Sequence, residues 1–315
     1  MSAQIFIDGE AGTTGLQIRA RLESRNDIEI VSLTQENRKD ASARRDMLNS
    51  VDLAILCLPD DAAREAVAMI ENPDVKVIDA STAYRVADGW TYGFPEFDAQ
   101  QTDKIAASKR VSNPGCYAVA SISVLNPLVR AGLLPADHAV SINAISGYSG
   151  GGKQLIASFE DTTSPSYTEA PFFVYGLGLQ HKHVPEIQVH GGLSNRPLFV
   201  PSVGRFAQGM IVQVPLALWD LPSKPSAKDV HGVLSAYYGG RAFVKVMDMA
   251  DSGQMSQLKP EDANGTNELR LFVFANDDAG QVVVMAQLDN LGKGASGSCV
   301  QNLNLMFGFD EATGL

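Results

Sequence analysis

The feature that most constrains this 315-residue chain is how it opens. Residues 4–8 (QIFID) form a short apolar run that stops at Gly9, and glycines recur at Gly12 and Gly15 before Leu16, Ile18 and Leu22 take up helical spacing. A strand that ends in glycine and re-enters as a helix predicts a βα unit. Backbone amides at the start of such a helix point outward, where they can hold a pyrophosphate. Gly9, Gly12, Thr13, Thr14 and Gly15 are therefore expected to contact a dinucleotide. The pattern is GxxGxxG rather than GxGxxG, so a purely structural turn is the alternative.

The rhythm continues through DIEIVSL at 27–33, a polar Arg-rich stretch ENRKDASARRDML, VDLAILCLP at 51–59, DAAREAVAMIE, and VKVIDAS at 75–81. Strands alternating with helices at this spacing predict a Rossmann-type, doubly wound parallel sheet of the α/β class. After Cys116 come longer β-rich runs, among them HAVSINAISGYSG, GMIVQVPLAL and LRLFVFANDDAGQVVVMAQLDN. With DDAG and SNRP read as hairpin turns, these predict an α+β domain with a largely antiparallel sheet. SGSCVQNLNLMFGF has helical spacing at Val300, Leu303, Leu305 and Met306, which predicts a helix returning to the first domain. Two domains also suit the length, which exceeds what one core usually serves. The boundaries read as 1–116 with 288–315 for dinucleotide binding and 117–287 for catalysis and oligomerisation.

A net charge of −11 argues against a nucleic-acid or anionic-membrane surface, since both need clustered positive charge. The N-terminal residues show no basic segment followed by an apolar stretch, so a cytoplasmic location is expected. Cys57, Cys116 and Cys299 are odd in number and without a CxxC pair, which disfavours a disulfide framework or a zinc site.

Ser112-Asn113-Pro114-Gly115-Cys116-Tyr117 precedes the apolar helical run YAVASISVLNPLV. A thiol at a helix N-terminus is favoured as thiolate and can attack an acyl carbonyl. Cys57 and Cys299 lie in apolar runs where a cysteine is ordinarily a small core residue, and that is also the alternative for Cys116. In Gln180-His181-Lys182-His183-Val184-Pro185-Glu186-Ile187, two imidazoles share one side of what reads as an extended segment, with a carboxylate three residues on. Acid/base work suits them, Glu186 orienting or charge-balancing an imidazole, while a zinc site of His181, His183 and Glu186 is the rival. Ser146 to Lys153 (SGYSGGGK) is a second glycine-rich turn ending in a cation, but Gln154 follows Lys153, so no Walker motif is present. Arg85 is a candidate fork for a substrate phosphate or carboxylate, with a surface salt bridge as the other reading.

The second strand ends Ser32-Leu33-Thr34, without the acidic residue that grips an NAD ribose, and Arg38 and Lys39 follow. NADP(H) is thereby favoured, with Arg38 the candidate for the 2′-phosphate. Arg38, Lys39, Arg44 and Arg45 on a solvated helix face are the alternative.

GEAGTTG, SNPGCY, SGYSGGGK, HKHVPEI and the ending NLGKGASGSCVQNLNLMFGFDE together resemble the N-acetyl-gamma-glutamyl-phosphate reductases of arginine biosynthesis, in their shorter subtype. The resemblance spans nearly the whole chain. It implies NADPH-dependent reduction of N-acetyl-glutamyl 5-phosphate to the 5-semialdehyde, with Cys116 as nucleophile and His181 as acid/base. It also implies Arg85, Tyr175, His183 and Glu186 around the substrate, Ser149 and Gly150 against the nicotinamide, and Gly292, Lys293 and Gly294 returning the chain to the cofactor. A homodimer or homotetramer is implied too; no metal is expected, because the chain lacks a helical HExxH or a cluster of partner ligands. Aspartate-semialdehyde dehydrogenases and glyceraldehyde-phosphate-type enzymes share this chemistry on other acyl phosphates and are the nearest rivals. A non-catalytic dinucleotide sensor is the rival of another class.

Overall fold

The computed structural model describes residues 2–315. The chain divides into one unit that runs up to Gly115 and resumes at Ala295–Leu315, and a second unit, Cys116–Gly294. Cys116 and residues 288–294, grouped above with the dinucleotide-binding part, belong here to the second unit.

The first unit contains β1 (Ala3–Asp8), α1 (Thr13–Leu22), β2 (Ile28–Val31), α2 (Ala41–Ser50), β3 (Leu53–Leu56), α3 (Asp60–Met69), β4 (Lys76–Asp79), β5 (Thr91–Tyr92), α4 (Gln101–Ala107) and β6 (Arg110–Ser112). The second contains α5 (Cys116–Arg130), β7 (Ser141–Gly147), α6 (Gly152–Glu160), β8 (Phe172–Val174), α7 (Val184–Gly191), β9 (Leu198–Gly204), β10 (Met210–Ala217), α8 (Ala227–Tyr238), β11 (Val244–Val246), α9 (Met249–Ser252), β12 (Leu269–Asn276) and β13 (Gln281–Leu288). A single turn of π-helix, Gly292–Ser296, then leads into α10 (Gly297–Phe307).

Six strands of the first unit form a parallel sheet in the order β2-β1-β3-β4-β6-β5. Ile5, Ile7, Leu53, Ile55 and Ile78 face one side, where Ile18 and Leu22 of α1, Ile105 of α4 and Val300, Leu303 and Met306 of α10 complete the core. Phe6, Ala54, Leu56 and Val77 face the other, against Leu48 of α2 and Ala66 of α3. Burial on both faces explains why these strands read as continuous apolar runs, and it makes the sheet doubly wound. Leu16 does not join the stripe and stays 51% exposed.

Seven strands of the second unit form a mixed sheet in the order β11-β12-β13-β10-β7-β9-β8. Pairing is parallel at β11–β12 and β7–β9 and antiparallel elsewhere, so the expected largely antiparallel sheet is present. DDAG closes the β12–β13 hairpin, the Gly280 amide donating to the Asp277 carbonyl at 3.1 Å. SNRP does not close one. Residues 194–197 lead from α7 into β9, because the HVPEIQVHG stretch before them is helical rather than extended. The apolar run after Cys116 is the almost wholly buried α5, packed against α7, α8, β10 and β13. Among the described residues, no helix is long and apolar enough to cross a membrane.

Candidate active site

In the first unit, β1 ends at Asp8 and the chain turns at Gly9, whose φ of +87° is left-handed and where a Cβ would collide with the Cys57 carbonyl. The Gly12 amide donates to the Gly9 carbonyl at 2.9 Å and closes the turn. Gly12 is the N-cap of α1 and offers no capping side chain, so the first-turn amides from Thr13 on keep their outward donors for a ligand. This cradle fits the pyrophosphate of a dinucleotide.

The cations of this unit have distinct fates. Arg38 lies exposed in a short turn, Asn37–Lys39, and the side chain of Lys39 lies outside the described residues. Arg44 is no solvated residue: its Nη2 meets Asp8 Oδ2 at 2.8 Å, next to the glycine turn. Arg85 does not lie on the surface. It is buried, and its Nε and Nη2 donate to the Asn113 and Ala80 carbonyls at 3.0 and 3.1 Å. Its guanidinium thus braces the Asn-Pro-Gly loop. Asp79, which sequence reading passed over, shares that task, its carbonyl accepting from the Asn113 amide at 2.7 Å. Burial pushes the Asp79 carboxyl up to about 6, against the opposing Ser81 hydroxyl, which donates to it at 2.6 Å.

In the second unit, Cys116 is the first residue of α5 and is only part-buried. The dipole of this fifteen-residue helix favours a thiolate there. The other two cysteines are unsuited to nucleophilic work: burial, reinforced by Asp79 and Asp8, pushes the Cys57 thiol up to about 12, and burial raises Cys299 well above its ordinary range. Gly294, in the π-helical turn, approaches Cys116 so closely that a Cβ would lie 2.7 Å from the Cys116 Cβ.

His181 and His183 do not share an extended segment as expected. Residues 181–183 form a turn, closed by the Val184 amide donating to the His181 carbonyl at 3.0 Å, and α7 then begins at Val184, with Pro185 in its first turn. The two imidazoles still meet, edge to face with centroids 4.8 Å apart. The His183 amide donates to His181 Nδ1 at 3.2 Å, which places the proton of the neutral ring on Nε2. That nitrogen lies 3.3 Å from the Tyr175 hydroxyl. Burial, first, and the charge of Cys116 push the Tyr175 phenol up to about 12, so it works as a neutral hydroxyl. Tyr117, next in sequence to Cys116, packs edge-on against His181 and Phe199, and burial raises its phenol well above the usual range. His183 and Glu186 are both buried, at the cap and in the first turn of α7.

Ser149 and Gly150 lie in a 3₁₀ turn after β7, where Asn290 Nδ2 donates to Ser149 Oγ at 3.1 Å. Asn290 Oδ1 in turn accepts from the Gly209 amide at 2.7 Å, and the neighbouring Asp289 accepts from the Gly265 and Leu291 amides, both at 2.9 Å. This buried Asp-Asn pair ties the turn to the segment bearing Gly292, Lys293 and Gly294. Lys293 is fully buried, its ammonium 5.6 Å from the Phe243 ring centre. Among the described residues, no cluster of three or more His, Cys, Asp or Glu could hold a metal ion.

Comparison with known proteins bears on both units. Residues 4–105 match the family model described as semialdehyde dehydrogenase, NAD binding domain, and residues 116–290 match semialdehyde dehydrogenase, dimerisation domain. The chain is therefore a member of the semialdehyde dehydrogenase class. Solved structures agree on the fold: an aspartate semialdehyde dehydrogenase II of Vibrio cholerae has a TM-score of 0.71 at 14% identity, with 98% of each chain covered. An aspartate semialdehyde dehydrogenase of Candida albicans, solved with NADP, has a TM-score of 0.66 at 13% identity, covering 98% of this chain and 99% of that one. Sequence relatives are much nearer. The N-acetyl-gamma-glutamyl-phosphate reductase of Allorhizobium ampelinum is 54% identical over 97% of this chain and 99% of its own, and that of Trichormus variabilis 52% identical over 99% of both. Within the class, the chain belongs to the N-acetyl-gamma-glutamyl-phosphate reductase family.

Proposed function

We propose that this protein reduces N-acetyl-L-glutamyl 5-phosphate to N-acetyl-L-glutamate 5-semialdehyde and phosphate, with NADPH as the reductant, in arginine biosynthesis. The observation that carries the reading is a part-exposed cysteine at a helix start, in the same unit as the paired Tyr175 and His181, in a chain 52–54% identical to reductases of that name along nearly its full length. The Cys116 thiolate attacks the acyl carbon, a C–S bond forms, and the bond from that carbon to the phosphate oxygen breaks. When bound, the dinucleotide supplies a hydride to the thioester carbon, and the amides from Thr13 on, with Gly9, Gly12 and Gly15, would hold its pyrophosphate. Reduction leaves a negative oxygen, and collapse of that centre breaks the C–S bond, releasing aldehyde and thiolate. The Nε2 proton of His181 is suited to stabilise this oxygen. With Nδ1 already accepting from a backbone amide, His181 serves better as this donor than as the base for the thiol, whose ionisation the α5 terminus favours.

His183, Glu186 and Tyr175 line the substrate side, Ser149 and Gly150 the nicotinamide side, and Arg85 acts through the Asn113 loop it braces. The protein works in the cytoplasm as a homodimer or homotetramer assembled through the second unit. The test is phosphate-dependent reduction of NADP, followed at the nicotinamide absorbance, with N-acetyl-glutamate semialdehyde and aspartate semialdehyde offered in parallel. Turnover of the acetylated aldehyde alone is expected. Preference for aspartate semialdehyde would move the protein to the sister activity, and inertness toward both would favour a non-catalytic sensor.

A further inference from the structure

At the end of β2 stands a cluster that the sequence pattern did not single out. Arg19, two turns into α1, donates from Nη1 to Glu10 Oε2 at 2.9 Å and to Ser32 Oγ at 3.0 Å. The Ser32 hydroxyl itself donates to the same Glu10 oxygen at 3.0 Å. A second carboxylate, Glu23, takes the Arg19 Nε at 2.9 Å and fixes the plane of the guanidinium. One anionic oxygen is thus held by a guanidinium and a hydroxyl, the donor set that a phosphate oxygen takes. Its position is informative as well. Glu10 lies inside the glycine turn and Ser32 directly follows β2, the two places between which the adenosine ribose of a dinucleotide lies in this type of fold. The Arg19 and Glu10 side chains are about one-third exposed, at 35% and 36%, so a ligand can reach them.

We infer that Arg19 and Ser32 bind the 2′-phosphate of the adenosine ribose, and that the Glu10 carboxylate is an internal anion which that phosphate displaces. The inference rests on the NADP(H) reading and replaces Arg38 as the residue that selects for it. A phosphate carries more charge than a carboxylate and more acceptor oxygens, so it wins the guanidinium, whereas a bare 2′-hydroxyl cannot. Glu10 therefore sharpens the choice: it repels the phosphate moderately and leaves Arg19 neutralised when NADH is offered.

The experiment titrates the intact protein with 2′,5′-ADP and with 5′-AMP by calorimetry, which isolates the 2′-phosphate from the nicotinamide and from turnover. The wild type is expected to bind 2′,5′-ADP more tightly. Loss of two charge-assisted hydrogen bonds in Arg19→Ala should weaken 2′,5′-ADP by about 10- to 100-fold while moving 5′-AMP less than about threefold. Glu10→Gln should tighten 2′,5′-ADP severalfold, an effect that a damaged fold cannot produce. Arg38→Ala should leave the ratio of the two affinities unchanged. Equal weakening of both ligands by Arg19→Ala, an unchanged ratio in that variant, or transfer of the whole effect to Arg38→Ala would overturn the inference. Weaker 5′-AMP binding in Glu10→Gln would assign the cluster to a ribose diol instead. If the wild type itself does not discriminate between the two ligands, the NADP(H) reading fails and the inference falls with it.

Discussion

Substituting Gly294 with alanine tests how tightly Cys116, the proposed nucleophile, is positioned. Gly294 sits in the π-helical turn with its amide donating to the Asp289 carbonyl at 3.0 Å, so its backbone cannot simply back away. An added methyl would lie 2.7 Å from the Cys116 Cβ and 3.1 Å from Leu288 Cδ1. Carbon atoms pack comfortably at about 3.5–4.0 Å, so something must yield by about 1 Å. Overpacking of this kind costs about 1–3 kcal/mol, and Cys116, at the end of a helix, is the easier partner to move. A 1 Å misplacement of a reacting group lowers the rate by about 100-fold. Gly294→Ala is therefore expected to lose about two decades of kcat while remaining folded. Stopped-flow turnover would measure this, with the rate of Cys116 alkylation by iodoacetamide as a second readout. Wild-type turnover and alkylation in a folded variant would refute the argument, because the methyl would then have been accommodated without moving the sulfur.

Further substitutions address other parts of the account. Asn290→Ala should destabilise the protein by about 1–3 kcal/mol in urea unfolding, because the buried Gly209 amide loses its acceptor, and an unchanged urea midpoint would contradict this. The Asp79 carboxyl sits at about 6 in the fold against an ordinary 3.8, so the fold favours its protonated form. The stability this confers is present below the ordinary value and fades as pH rises through about 6, by about 3 kcal/mol in full. Asp79→Asn should remove that pH dependence and be the more stable protein above the window, and an unchanged urea midpoint-versus-pH profile would contradict it. Replacing His181 with Asn should cut the rate of thioester reduction far more than dinucleotide affinity, and a larger loss in His183→Asn, read in single-turnover kinetics, would transfer the donor role to His183.

Much of the first unit was legible because its strands are buried on both faces, which leaves unmistakable apolar runs, and because Gly9 to Gly15 mark a turn few residues can make. The short β6 was not, since Arg110-Val111-Ser112 offers too little alternation to read, yet it delivers the Asn-Pro-Gly loop to Cys116. HKHVPEI reads as extended because Pro185 suggests a break, whereas proline in a first helical turn is tolerated and here lies in the first turn of α7. Motif reading singled out Cys116, His181 and the Ser149 turn as candidates, but not the contacts that surround them. Arg85 read as a candidate ligand fork or a surface salt bridge, with nothing to show its bond to the Asn113 carbonyl, and Asn290 touches Ser149 across 141 positions of sequence. Contacts between residues so distant leave no local spacing to detect. Arg19 was hidden differently: it reads as an ordinary exposed helix cation unless Glu10 and Ser32 are known to converge on it.

The central claim is a thioester on Cys116, and intact-protein mass spectrometry tests it most directly. The protein is mixed with N-acetyl-L-glutamyl 5-phosphate without dinucleotide, digested and mapped, then exposed to NADPH. A single acyl adduct on the Cys116 peptide, absent in Cys116→Ser and discharged as aldehyde once NADPH is added, is the predicted result. No adduct, or one that persists in Cys116→Ser, would contradict the account.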